Sequence, residues 1–110
     1  MELNSASSCN IIYNITLKVE AQIADEWLQW MITEHIPEVL KTGCFYDYTI
    51  LKLLEIDEEE GPTYAIQYRA ESKADYNRYI ELHSPIMRKK IFAKWGDQLV
   101  AFRSVMEVVK

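Results

Sequence analysis

The chain carries one pattern twice, and this internal repeat limits the fold more than any other feature of the sequence. Each copy consists of a strand, an amphipathic helix that contains the triplet His-x-Pro, and a further strand. The first copy spans residues 11–56 and includes His35, and the second spans residues 63–109 and includes His83. Two successive copies predict a βαββαβ order within one domain, residues 11–110.

Alternation of apolar and polar residues marks the strands, whereas apolar residues at steps of three and four mark the helices. The predicted strands cover residues 11–20, 45–56, 63–70 and 99–109, and the predicted helices run from about residue 25 to Gly43 and from about residue 72 to Gly96. This connectivity is that of a ferredoxin-like α+β fold, with a four-stranded antiparallel sheet and two helices on one face. In this arrangement the first and third strands are neighbours at the centre of the sheet.

Proline interrupts both predicted helices. Pro37 and Pro85 lack a backbone N–H and clash with the carbonyl four residues earlier, so each helix is expected to bend or restart. Ser84, directly before Pro85, has the pattern of an N-cap, which predicts that the second helix consists of two pieces. At the start of the same helix, Ser72 and Asp75 match a capping box.

The fourth predicted strand is apolar on both faces. The apolar residues of one face are Val100, Phe102, Met106 and Val108, and those of the other are Leu99, Ala101, Val105 and Val109. Two helices can cover only one face of a four-stranded sheet, so the other face needs a separate cover. We therefore expect a homodimer in which the sheets of two identical chains pair face to face.

Composition and charge exclude several classes of function. The chain has 17 acidic and 12 basic residues, a net charge of -5, so a nucleic-acid partner is not expected. It has no apolar run of about 18 residues, so no membrane span is expected. Residues 1–10 are polar and are predicted to be a flexible leader without an export signal. Two cysteines, Cys9 and Cys44, fit free thiols in a reducing compartment, and the predicted location is cytoplasmic.

The two histidines are candidate catalytic residues. Each lies four residues after another member of an inward-facing helical stripe, so both imidazoles are expected on or beside the sheet side of their helices. In one interpretation, His35 and His83 pair with carbonyls freed by the prolines, or with a tyrosine hydroxyl, and are structural. In the other, they border a cleft between helices and sheet, where one carries a proton or anchors a ligand. Two histidines without further ligands do not predict a metal site, and no cofactor is expected.

Polar residues alternate along the first, third and fourth strands. They are Asn14, Thr16, Gln67, Arg69 and Arg103. They are interpreted as a hydrogen-bonded network inside a closed dimeric barrel, as a small anion-binding pocket centred on the two arginines, or as edge residues that reach solvent.

Four segments of the sequence carry a family resemblance: residues 26–30, 34–40, 42–45 and 100–103. They resemble an uncharacterised bacterial family of the dimeric α/β-barrel superfamily, and the resemblance covers about residues 11–109. It implies protomers that pair sheet to sheet. It also implies a comparison with cofactor-free monooxygenases, whose Asn, Trp and Tyr around an apolar cleft match Asn14, Trp27 and Tyr64 in type.

Three functions remain open from the sequence. The leading hypothesis is a homodimer that binds a small apolar or aromatic acid in a helix-sheet cleft, with Arg69 or Arg103 available for the carboxylate. The first alternative is a cofactor-free monooxygenase or isomerase that uses His35 or His83 as proton carrier. The second alternative is a partner-docking module whose dimer surface is the whole function.

Overall fold

The computed structural model describes residues 10–110 and confirms the βαββαβ order. The elements are β1 (Ile11–Val19), α1 (Ala24–Trp30), α2 (Ile36–Lys41), β2 (Asp47–Lys52), β3 (Thr63–Ala70), α3 (Lys73–Leu82), α4 (Ser84–Trp95) and β4 (Leu99–Glu107). Nine of the ten residues of the predicted leader, residues 1–9, lie outside the described residues. Asn10 is described, and its side-chain oxygen accepts a hydrogen bond from the Tyr46 hydroxyl at 2.6 Å.

The four strands form one antiparallel sheet in the order β2-β3-β1-β4, which places β1 and β3 at the centre as predicted. The register sets the faces of the sheet, because directly opposed residues point to the same side. Tyr13 of β1 lies opposite Tyr68 of β3 and Val105 of β4, and this row faces the helices. Asn14 lies opposite Gln67 and Ser104 on the other side, which we call the open face.

Two of the strands are shorter than predicted. The strand expected at 45–56 is regular only over Asp47–Lys52, and the strand expected at 99–109 ends at Glu107. Phe45 is buried in the core ahead of β2, although its apolar, aromatic character is equally typical of a strand. After β2 the chain turns at Glu55, whose backbone has φ +58°, so the residues that follow cannot continue the strand.

The first helical arm is interrupted at the predicted place. Between α1 and α2 the residues Met31–His35 form a wider π-type turn, in which the Ile36 N–H donates to the carbonyl of Met31, five residues earlier. Single π-type turns of this kind occur within α-helices and are frequent at functional sites. Here Pro37 cannot donate to the carbonyl of Thr33, and the wider turn accommodates that loss.

The second arm is divided into α3 and α4, as the proline pattern predicts. The dividing residue is His83, which is the N-cap of α4 with φ -119°, whereas the predicted N-cap, Ser84, is already the first helical residue. Ser84 is buried, and packing rather than capping accounts for its position. The capping box at the start of α3 is confirmed, because the Asp75 N–H donates to the Ser72 Oγ at 3.2 Å.

Candidate functional site

A cavity of about 260 Å³ lies between the sheet and the helical arms. Its sheet wall is built by helix-facing residues of the two central strands, among them Ile15, Leu17 and Ile66. Its helix wall includes Met31 from the π-type turn and Met87 from α4. The cavity is larger than the roughly 150 Å³ that accommodates benzene and somewhat below the size of most drug-binding pockets. It therefore fits a ligand with one ring.

The cavity is lined in part by three neighbouring tyrosines. Tyr13, Tyr68 and Tyr79 all line it, and the Tyr13 ring centroid lies 6.3 Å from that of Tyr68 and 6.0 Å from that of Tyr79. Burial raises the pKa of the Tyr68 and Tyr79 hydroxyls well above their usual range, so both stay protonated. None of the three tryptophans lines the cavity.

His35 lies on the cavity wall and is almost completely buried. Its residue exposure is 3%, its ring stacks on Trp30 with centroids 5.0 Å apart, and its Nδ1 has no hydrogen-bond partner. Buried polar atoms without a partner are rare in folded proteins and costly. The described residues supply no hydrogen-bond partner for this nitrogen.

Burial also determines the charge of His35. Removal from water lowers the pKa of the imidazole from its ordinary 6.5 to about 4. Glu38 opposes this shift and Lys90 adds to it, and these two side chains pair with each other across α2 and α4. His35 is therefore neutral at pH 7 and can both accept and donate a hydrogen bond.

Two arginines stand at the rim of the cavity. Arg103 comes from β4 and Arg88 from α4, and both line the cavity while remaining exposed. The positive charges of both arginines favour ionisation of the Tyr79 hydroxyl and so partly offset the rise in its pKa that burial causes. Neither forms an ion pair with a carboxylate of residues 10–110. The rim is thus a positively charged entrance to an apolar interior.

Arg88 is not among the residues that the sequence predicted to bind a ligand. The sequence feature that points to Arg88 is its spacing of four residues from Ser84. Ser84 is buried and lines the cavity. Residues at this spacing share one face of a helix, so the face of Ser84 leads directly to Arg88.

Arg69 and Arg103 lie on opposite faces of the sheet, so the predicted anion pocket centred on both is wrong within one protomer. Arg103 lies opposite Ile15 on the helix side, whereas Arg69 lies opposite Ile12 and Asp47 on the open face. In the sequence, both arginines are polar residues that alternate with apolar ones along a strand. The face that each occupies depends on how the strands pair, which the sequence of one strand does not show.

The open face carries a short hydrogen-bonded network at its centre. Gln67 donates to the Asn14 side-chain oxygen at 3.3 Å, and the Asn14 amide donates to Thr16 at 3.0 Å. These polar residues were predicted to form such a network. Asn14 therefore lies across the sheet from the cavity, and the two cannot meet in one protomer.

The remaining candidates are near the core but do not line the cavity. Trp27 is fully buried and packs on Tyr64, with ring centroids 5.5 Å apart. His83 is half-buried at the α3-α4 junction, and its ring stacks on Tyr79 at 6.1 Å. Their assignment to catalysis or ligand binding stays a prediction.

Within residues 10–110, no cluster of three or more His, Cys, Asp or Glu side chains is arranged to hold a metal ion. Over the same residues, no helix combines the length and the apolar character that crossing a bilayer requires.

Comparison with protein families gives a match over residues 10–109 to a domain of unknown function, DUF4286. The chain belongs to this family. The match confirms the expectation of a family without an assigned activity, whereas its bacterial origin stays a prediction. A comparison with curated proteins finds no significant match to the chain.

Solved structures share the fold of this DUF4286 chain at low sequence identity. A dimeric ferredoxin-like protein from an uncultured marine organism is 11% identical, with a TM-score of 0.65 over 93% of this chain and 97% of that one. An EthD-like protein from Ralstonia eutropha JMP134 is 15% identical, with a TM-score of 0.67 over 93% and 94%. SnoaB, a cofactor-independent oxygenase from Streptomyces nogalater, is 7% identical, with a TM-score of 0.65 over 92% and 94%. These similarities confirm the ferredoxin-like fold.

Proposed function

We propose that this protein binds a small apolar or aromatic carboxylic acid in the cavity between its helices and its sheet. The observation that carries the proposal is an apolar, one-ring cavity with two arginines at its rim. A carboxylate at the rim gains charge-assisted hydrogen bonds from Arg103 and Arg88, while the apolar body leaves water. Of the two arginines assigned from the sequence, Arg103 is the one that the cavity supports.

The test compares a one-ring acid with its neutral isostere. 3-Phenylpropanoate and 3-phenylpropanamide have nearly the same shape, so calorimetric titration of both isolates the contribution of the carboxylate. We expect the acid to bind at least about 10-fold more tightly, because a hydrogen bond to a charged group contributes roughly 1.5–3 kcal/mol. Equal affinities, or no binding of either compound, would contradict the proposal.

Arg103→Gln and Arg69→Gln form a matched pair of variants. Arg103→Gln removes a positive charge from the cavity rim. Arg69→Gln removes a positive charge from the open face, on the other side of the sheet from the cavity. We expect Arg103→Gln to weaken binding of 3-phenylpropanoate about 10-fold, and Arg69→Gln to change it less than about 2-fold. Equal effects of the two substitutions on affinity would indicate that the acid binds outside this cavity.

We also propose that the protein is a homodimer whose open faces pair. One structural neighbour is described as dimeric. On the open face of this chain, Val100, Phe102 and Met106 of β4 are exposed apolar side chains beside the polar network of Asn14 and Gln67. Pairing would remove the apolar residues from water and enclose the network. A cytoplasmic location is proposed with it, and the buried free thiol of Cys44 supports a reducing environment.

A catalytic role for His35 is the second candidate function. The neutral imidazole lies on the cavity wall and is a candidate to accept a carbon-bound proton from a bound ligand. A structural neighbour is a cofactor-independent oxygenase. The test follows exchange of the carbon-bound protons of a bound acid in D2O by NMR, together with oxygen uptake. Activity that is lost in His35→Gln would support this candidate, and the absence of both reactions would contradict it.

A further inference from the structure

We propose that the outward surface of α4 docks on the surface of anionic lipid membranes. The eight exposed residues of this helix are four basic and four apolar ones, and none is acidic. A surface helix of a globular protein ordinarily turns a charged and polar face to water. The helix α3 has that ordinary composition, since Asn77, Arg78 and Glu81 are among its exposed residues. Docking through α4 does not depend on acid binding in the cavity.

The positive charge of α4 is the first observation that favours an anionic partner. The helix contains four of the 12 basic residues of the chain and none of its 17 acidic ones, although the net charge of the chain is -5. Lys90 pairs with Glu38 of α2. Arg88, Lys89 and Lys94 form no ion pair with a carboxylate of residues 10–110, so their charges are available to a partner.

The acidic residues of the helical layer lie mainly to one side of α4. Exposed Asp25, Glu26 and Glu34 belong to the first helical arm, and the pair of Lys90 with Glu38 shows that this arm lies on the Lys90 side. Successive residues of an α-helix are about 100° apart around its axis, so Lys89 is turned away from Lys90 and from the first arm. Glu81 before the helix and Asp97 after it lie beyond its ends.

Two large apolar side chains share the outward surface with Lys89. Ile86 is 57% exposed and Phe92 is 68% exposed. Residues three apart are neighbours on a helix, so Ile86, Lys89 and Phe92 form one row. Basic and large apolar side chains together are typical of a helix that lies in the interface of a bilayer. There the apolar side chains enter the acyl boundary while Lys and Arg meet anionic headgroups.

The cavity opens beside the same surface. Arg88 and Phe92 both line the cavity and are both exposed, so docking of α4 would bring the cavity entrance to the lipid surface. A negative surface potential is characteristic of the cytoplasmic leaflet, which agrees with the proposed cytoplasmic location.

The experiment measures co-sedimentation of the full chain with lipid vesicles. The vesicles consist of phosphatidylcholine alone or of an equal mixture with phosphatidylserine. We expect binding to the mixed vesicles to be at least about 10-fold tighter, because several basic side chains contribute. Salt at about 0.5 M should release the protein, since it screens exposed charges. Binding that is absent, or equal for both vesicles, would overturn the proposal, and an acidic protein partner would produce the first of these results.

Two matched pairs of variants locate the contact. Lys89→Glu should weaken binding to the mixed vesicles about 20-fold, whereas Lys41→Glu, the same change at an exposed lysine of α2, should weaken it less than about 3-fold. Ile86→Ser should weaken binding about 5-fold, and Ile32→Ser, on the first arm, less than about 2-fold. Equal effects within either pair would overturn the assignment to α4.

A measurement on the wild-type protein covers the case in which a variant does not fold. Brief acetylation followed by mass spectrometry reports how accessible each lysine is. We expect mixed vesicles to lower the acetylation of Lys89 at least about 5-fold and to leave that of Lys41 unchanged. Unchanged acetylation of Lys89 on vesicle-bound protein would overturn the proposal.

Discussion

At the scale of single residues, His35 combines near-complete burial with an unpartnered nitrogen and a stacked ring. These properties make it costly for the folded state to bind a proton there. The cost is visible as the lowered pKa of the imidazole, about 4 instead of 6.5.

This shift predicts how stability depends on pH. Between pH 6.5 and about 4 the unfolded chain binds a proton at His35 and the folded chain does not, so acidification favours the unfolded state. The contribution of the neutral His35 to the free energy of unfolding is therefore fully present above pH 6.5. It is lost as the pH falls from 6.5 to about 4. We expect the wild-type protein to lose on the order of 2 kcal/mol more than His35→Gln between pH 7 and 4.5. Urea unfolding of both proteins at four pH values measures this, and parallel curves would contradict it.

The candidate site could be predicted in part at this scale. The helical spacing predicted His35 on or beside the sheet side of its helix, and His35 lines the cavity between helices and sheet. The arginines could not be assigned in the same way. Whether Arg69 or Arg103 reaches the cavity depends on which residue faces Ile15 across the β1-β4 pairing, and the sequence of a single strand does not contain that register.

At the scale of elements, the connection before β3 is held by a glycine with no room for a side chain. Gly61 has φ +139°, and a Cβ there would lie 1.9 Å from the carbonyl oxygen of Val19 and 2.8 Å from the backbone nitrogen of Ala21. Backbone bonds join the same segments, since Val19 donates to the Pro62 carbonyl and Ala21 to that of Glu60, each at 3.0 Å. The turn at residues 57–61, which contains four acidic residues, is thereby bound to the end of β1.

Gly61→Ala tests this close approach. We expect it to lower the free energy of unfolding by at least about 3 kcal/mol, because backbone atoms must move and their hydrogen bonds break. Gly43→Ala is the matched control: its φ is also positive, +77°, but an added Cβ meets nothing within 4 Å. That variant should lose only about 1–2 kcal/mol. Equal losses in denaturant titrations would show that backbone conformation alone, and not the contact with β1, explains the glycine.

The sequence predicted the elements better than their ends. Pro37 and Pro85 located both breaks in the helical arms, because a missing N–H has a local effect. The form of the first break, a π-type turn, does not follow from proline alone, since Pro85 divides the second arm without such a turn. Phe45, where the second strand was predicted to begin, is instead buried in the core ahead of β2, and its residue type does not distinguish the two positions.

At the scale of the whole molecule, β4 has one face towards the helices and one uncovered face. On the uncovered face Phe102 is 72% exposed, Val100 54% and Met106 41%. These residues belong to an edge strand, and their neighbours across the sheet, Thr16, Lys18 and Ile12, are only half-buried. An apolar stripe of this kind is typical of an interaction site, and the proposed partner is the same face of a second chain.

Phe102→Asp tests the proposed homodimer. In a two-fold symmetric interface the substitution introduces two charges at once, so we expect the dimer to dissociate into monomers. Ile86→Asp is the control, because Ile86 is similarly exposed, at 57%, but lies on α4 on the helix side of the sheet. Light scattering coupled to size exclusion should give a dimer for the wild-type protein and for Ile86→Asp, and a monomer for Phe102→Asp. A monomeric wild-type protein would contradict pairing outright, and a dimer that both variants retain would place the interface away from β4.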